Sequence, residues 1–97
     1  MRVIIFGGTT EGREAIPALQ EMGYEVSVSV ATETGLEALR GCKAKVLVGR
    51  KEVKELKQLL LDYEVCIDAT HPYAEKITEN LRNACEFAGT RYFRLIR

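Results

Sequence analysis

The chain has 97 residues and a formal net charge of zero, with 46% hydrophobic and 29% charged positions. That is the size and composition of one soluble globular domain, and its charge favours neither nucleic acid nor an anionic membrane surface. The run behind Met1 is a strand rather than a signal sequence, and no apolar stretch reaches membrane-spanning length. The three cysteines Cys42, Cys66 and Cys85 are odd in number and lack C-x-x-C spacing, so neither a metal site nor a disulfide framework is expected. Cys66 and Cys85 read as small core residues, and the compartment as the cytoplasm.

In chain order, the first strand is Val3 to Phe6, a continuous apolar run that implies burial on both faces. A helix starts near Thr10 or Glu11, with Ala15, Ile16, Leu19 and Met22 as its buried stripe and Gly23 at its end. Pro17 inside it implies a kink or a partly detached first turn. The second strand is Glu25 to Ala31, and Thr34 to Arg40 reads as a short helix closed by Gly41. The third strand is Ala44 to Val48, followed by a helix from Lys51 to Tyr63 whose charges Lys51, Glu52, Lys54, Glu55 and Lys57 form a solvated face. The fourth strand is Val65 to Ala69. The next helix begins at Pro72, a residue suited to the first helical position. It buries Ala74, Ile77, Leu81, Ala84, Cys85 and Ala88 and ends at Gly89. The fifth strand is Arg91 to Ile96.

Strands alternating with helices predict a doubly wound, three-layer α/β/α fold on a five-stranded parallel sheet. Right-handed crossovers leave the Rossmann-like order 3-2-1-4-5, in which strands one and four are neighbours at the switch point where ligands bind. Two loops then border one crevice. Gly7-Gly8-Thr9-Thr10-Glu11-Gly12-Arg13 follows strand one, and Asp68-Ala69-Thr70-His71-Pro72-Tyr73 follows strand four. Glycines behind a strand let the backbone approach an anion, and the first helical N–H groups point at it. The spacing is G-G-x-x-x-G, not G-x-G-x-x-G, and a P-loop lysine is absent. Threonine hydroxyls can bind phosphate oxygens, whereas Arg13 can pair with a phosphate or with Glu11. His71, the only histidine, reads as a helix cap or a ligand contact. Asp68 can bind ligand or brace its own loop. Tyr73 can stack on a ring or cover the helix start.

The two loops carry a resemblance. Gly7 to Arg13 resembles the first motif of the precorrin-6A reductases, including the cobalt-precorrin-6A type, and Asp68 to Ala74 is similar to their second motif. Arg94-Leu95-Ile96-Arg97 is similar to the segment after the fifth strand in that family. The resemblance spans this chain but less than half of a family member. It implies the N-terminal domain of a two-domain enzyme, cut before the second. It further implies an NADPH-dependent oxidoreductase of cobalamin (vitamin B12) biosynthesis that reduces one carbon–carbon double bond of a tetrapyrrole-derived macrocycle. On this reading Gly7, Gly8, Thr9, Thr10 and Arg13 take the cofactor phosphates. Thr32, Thr70 and His71 also contact the cofactor, while Pro72 and Tyr73 line the crevice. No residue is assigned to catalysis and no metal is expected. Many members have a basic residue just after strand two, suited to a 2′-phosphate. Here that stretch reads Ala31-Thr32-Glu33-Thr34, and Glu33 keeps NADH open beside NADPH. The partners implied are the macrocycle and the second domain, which would hold the acceptor side; the 97 residues alone are expected to be inactive.

Other classes fit less well. A nucleotide-sugar epimerase or short-chain dehydrogenase wants a closer glycine turn and a Tyr-x-x-x-Lys pair, and Tyr73-Ala74-Glu75-Lys76 has the wrong spacing. A receiver-like signalling module needs acidic residues after strand one, where glycines and threonines stand instead. A structural docking domain remains the third alternative.

Overall fold

The computed structural model describes residues 1–7, 10–31, 44–71 and 74–95, and the expected short helix at 34–40 lies outside them. Along the chain come β1 (Arg2–Phe6), α1 (Thr10–Glu21), β2 (Glu25–Val30), β3 (Lys45–Val48), α2 (Val53–Leu60), β4 (Val65–Asp68), α3 (Glu75–Ala88) and β5 (Arg91–Arg94). The strands form one sheet in the order β3-β2-β1-β4-β5, every pair parallel. This is the expected Rossmann-like arrangement. Ile5 pairs with Ile67 and Phe6 with Asp68, so the loops behind β1 and β4 leave the sheet side by side.

Both faces of the sheet are covered. On one, Ile4, Phe6 and Cys66 pack under α2 and α3 through Leu56, Leu60, Leu81, Ala84 and Cys85. On the other, Ile5, Val26, Val28 and Val30 pack with Ile16 of α1. Double coverage explains why Ser27 and Ser29 of β2 are buried as well. Ser27 meets its polar need by accepting from the Tyr63 hydroxyl at 2.9 Å.

Several boundaries differ from the sequence reading. α1 runs unbroken from Thr10 to Glu21 with Pro17 inside it, and the first turn is not detached. Pro17 and Arg13, whose carbonyl loses its usual donor, are both exposed, so water can replace the missing bond. Met22 is 65% exposed instead of buried, because the chain leaves the helix into the turn at Gly23 (φ +88°). α2 stops at Leu60, where Asp62 and Tyr63 donate to Leu59 and Leu60 and tighten the last turn. α3 starts at Glu75, and the expected first residue, Pro72, lies outside the described residues. The Ala74 N–H donates to the His71 carbonyl at 2.9 Å, and Ala74 itself has a non-helical backbone (φ −88°, ψ 56°), so the helix begins after it. Its other end matches expectation, with Gly89 in the left-handed conformation (φ +73°). β2, β3, β4 and β5 are each one or two residues shorter than expected.

Among the described residues, no helix is long and apolar enough to cross a membrane, and no cluster of ligating side chains could hold a metal.

Candidate functional site

The site begins at the carboxyl end of β1. Gly7 leaves the strand with φ +111°, and its N–H donates to the Ser29 carbonyl at 2.9 Å, tying the turn to β2. A Cβ on Gly7 would lie 2.7 Å from the Ala69 carbonyl oxygen, which belongs to the loop behind β4. The two loops therefore touch backbone to backbone, and only glycine permits it. Gly12 has a different task. It is buried in the first turns of α1, and a Cβ there would meet the Ala69 Cβ at 2.9 Å and Ile5 Cγ2 at 3.4 Å. Its missing side chain lets α1 lie close on the sheet, which keeps the helix N-terminus near the turn.

Behind β4 the chain is braced by Asp68, whose side chain is fully buried. Its Oδ1 accepts from the Thr70 N–H at 3.1 Å, the Thr70 hydroxyl at 2.6 Å and Arg94 Nη1 at 2.7 Å. Its Oδ2 accepts from the Thr78 and Tyr92 hydroxyls, each at 2.7 Å. Burial alone would raise the carboxyl pKa, but the donors from Thr70, Thr78 and Tyr92 outweigh it and hold the group below its ordinary value. Burial, together with the hydrogen bond to Asp68, pushes the Tyr92 phenol up. The network fixes α3 and β5 to the loop that borders the site. Of the two roles the sequence left open for Asp68, the brace is the one observed.

A cavity of about 520 Å³ opens where the carboxyl ends of β1, β2 and β3 face α2 and α3. That is the size range of small-molecule and cofactor sites. Phe6, Gly7 and Ser29 form its sheet side, Leu56 and Ile77 its apolar helix side, and Arg50 and Lys51 the end beyond β3.

The expected site residues divide into groups. Gly7 and Thr70 line this cavity. Thr70 does so with its hydroxyl proton given to Asp68 and its oxygen accepting from Arg94 Nη1 at 2.9 Å. Arg13 is exposed on α1, and His71 is exposed with its carbonyl engaged by Ala74; neither is among the cavity's described walls. Thr10 opens α1, and its side chain, with Gly8, Thr9, Thr32, Glu33, Pro72 and Tyr73, lies outside what is described. Arg50 and Lys51 did not stand out in the sequence. Lys51 had been read as part of a solvated face, yet it is half-buried in the cavity wall. The signal that could have found them is position, since both directly follow a strand at the carboxyl edge of the sheet.

The arrangement suits a ligand with an anionic segment and an apolar ring. It offers a glycine turn, an apolar wall, and three cations, Arg50, Lys51 and Lys76, beside one carboxylate, Glu75, at the start of α3.

The family model described as Precorrin-6x reductase CbiJ/CobK matches residues 2–97. A protein named cobalt-precorrin-6A reductase from Methanothermobacter thermautotrophicus is 37% identical, over 100% of this chain and 33% of its own length. Another of that name from Salmonella typhimurium is 36% identical, over 90% of this chain and 34% of its own length. A solved structure titled CobK precorrin-6A reductase superposes with a TM-score of 0.82 at 27% identity, covering all of this chain and 38% of that one. The chain thus spans about a third of the length of the curated relatives it matches.

Proposed function

The chain belongs to the precorrin-6x reductase family, and from that membership we propose that it forms the N-terminal, dinucleotide-binding domain of a longer NADPH-dependent reductase. The reaction is reduction of one carbon–carbon double bond in precorrin-6A or its cobalt form, a step of cobalamin biosynthesis. The cofactor supplies the hydride. This domain's residues bind and orient it, and the acceptor side belongs to the remainder of the longer protein. The cytoplasm is the proposed compartment, in keeping with the free thiols of Cys66 and Cys85.

The observation that carries this reading is the cavity beside the Gly7 turn, at the carboxyl ends of β1 and β2. In this fold a diphosphate sits at the first strand-to-helix turn, against the helix N-terminus. Gly7, Gly8, Thr9, Thr10 and Arg13 are the residues assigned to it. Thr32 is assigned to the ribose end, and Thr70, His71, Pro72 and Tyr73 to the loop that closes the other side. Thr70 contributes by shaping the wall, because its donors are committed to Asp68.

The test is a titration of the ¹⁵N-labelled chain with NADPH and NADP⁺. The amides of Gly7 to Arg13 should move first, with Ser29 following through its carbonyl bond to Gly7. Shifts confined to α2, or none at millimolar ligand, would overturn the assignment.

A further inference from the structure

The hydroxyl of Thr70 is held between a carboxylate and a guanidinium. Its proton goes to Asp68 Oδ1 at 2.6 Å, and its oxygen accepts from Arg94 Nη1 at 2.9 Å. Arg94 Nη1 also donates to Asp68 Oδ1, at 2.7 Å. A carboxylate only accepts and a guanidinium only donates, so neither bond of the Thr70 hydroxyl can reverse. The Thr70 N–H is committed as well, to the same Oδ1 at 3.1 Å. Thr78 Oγ1 lies 3.5 Å from the Thr70 hydroxyl, but the Thr78 proton goes to Asp68 Oδ2 at 2.7 Å. A hydroxyl oxygen has two lone pairs, and Arg94 takes one. In the cavity wall Thr70 therefore keeps one acceptor lone pair and no donor.

A threonine in a cavity wall ordinarily serves a ligand with either polarity, because its proton rotates to suit. This one is locked. We propose that Asp68 and Arg94 are positioning residues that fix Thr70 as a hydrogen-bond acceptor in the wall, where it takes a neutral amide N–H of the ligand and turns away an anionic oxygen. The proposal rests on the cavity being a dinucleotide site. In this fold the two mononucleotide halves lie on either side of the point where the strand order reverses, here between β1 and β4. The turn behind β1 is assigned the diphosphate, and Thr70, behind β4, falls on the other side of it. The carboxamide of the nicotinamide is the neutral amide of that half, and Ala74 and Ile77 of the same wall give its ring an apolar border. Arg94 reaches this point from β5 and is not among the cavity's described walls, so it acts only through Asp68 and Thr70.

The experiment is calorimetric titration of the 97-residue chain with three ligands: NADP⁺, its nicotinic acid analogue, in which a carboxylate replaces the carboxamide, and 2′,5′-ADP, which lacks the nicotinamide half. The wild type should favour NADP⁺ over the acid analogue by roughly tenfold, the worth of one hydrogen bond gained and not replaced. Thr70→Val removes the acceptor; it should weaken NADP⁺ by about that factor, shrink the preference and leave 2′,5′-ADP unchanged. Thr70→Ser should restore both. Arg94→Ala releases the hydroxyl and should lower the preference, whereas Arg94→Lys should keep most of it. A merely structural role for Arg94 would lower the thermal midpoint and leave the preference intact. Glu75→Gln removes the wall's carboxylate among the described residues and should leave the preference in place. If the wild type binds neither dinucleotide, the cofactor reading falls and this assignment with it. If NADP⁺ binds without preference over the acid, if the preference disappears with Glu75→Gln, or if Thr70→Val weakens 2′,5′-ADP equally, the role given to Thr70 is overturned and the cofactor reading stands.

Discussion

At the scale of single residues, Asp68 has the most dependants. Five hydrogen bonds from four residues converge on a fully buried carboxylate, among them the Arg94 ion pair at 2.7 Å. Asp68→Ala leaves three hydroxyls and a guanidinium without their acceptor and should cost ~3 kcal/mol, read as a lower urea midpoint. The pH dependence has a definite sign. The folded carboxyl titrates below its unfolded value of about 4, so its contribution is complete above that value and disappears as pH falls through the lower folded one. Asp68→Asn removes this proton uptake. The stability gap between wild type and Asp68→Asn should therefore be constant near neutral pH and narrow in acid. A gap independent of pH down to acid unfolding would count against the carboxylate's role. None of this network is evident in the linear order. Thr78, Tyr92 and Arg94 lie 10 to 26 positions away, and each looks like an ordinary helix or strand residue.

At the scale of elements, two of the three glycines of the first loop, Gly7 and Gly12, make separable demands. Gly7 meets backbone, whereas Gly12 meets the Ala69 methyl. Gly7→Ala forces a side chain into a left-handed conformation against an immovable carbonyl and should cost ~2 kcal/mol or more. Gly12→Ala gains about 1 kcal/mol of helix propensity, but it pushes α1 off the sheet and should be net destabilising. Adding Ala69→Gly should recover most of the Gly12→Ala loss and none of the Gly7→Ala loss, because only the first clash involves the Ala69 side chain. A double-mutant cycle on thermal midpoints measures this coupling. Equal rescue of both, or of neither, would refute the packing described for this loop. The sequence marked both glycines as one motif. It could not say which served the turn and which the helix packing, because Ala69 arrives from a different strand.

At the scale of the whole molecule, the sheet closes two cores, and the cavity stands at the carboxyl ends of β1, β2 and β3. Cys66 and Cys85 are buried within one of these cores. Cys66 is pushed well above the usual thiol range by its hydrogen bond with Cys85 and by burial, which makes it an inert core residue and not a nucleophile. A cavity on one domain can hold a cofactor without fixing a macrocycle against it. Orientation of two reactants supplies about 7–11 kcal/mol of barrier reduction and needs near-contact geometry. The 97-residue chain, given NADPH and the oxidised macrocycle, is therefore expected to show no NADPH oxidation above background. Steady turnover would mean that the acceptor site is contained in these residues, and the two-domain division of labour would be abandoned.

The strand order, the adjacency of the two loops and the glycine turn were all legible in the sequence. Strand segments four to seven residues long alternate with helical periodicity, and right-handed crossovers then leave few arrangements. Such patterns are local and repeat along the chain, so they survive without coordinates. Tertiary structure alone decided the rest. It decided between ligand contact and loop brace for Asp68, and it left Met22 outside the core one residue past the last helical turn. It also moved Lys51 from a solvated face to a cavity wall and set Arg50 beside the end of β2. Each of these outcomes depends on which side chains from distant elements converge in space, and the energy of a buried charge or an open cavity is set by those neighbours rather than by the residue's own identity.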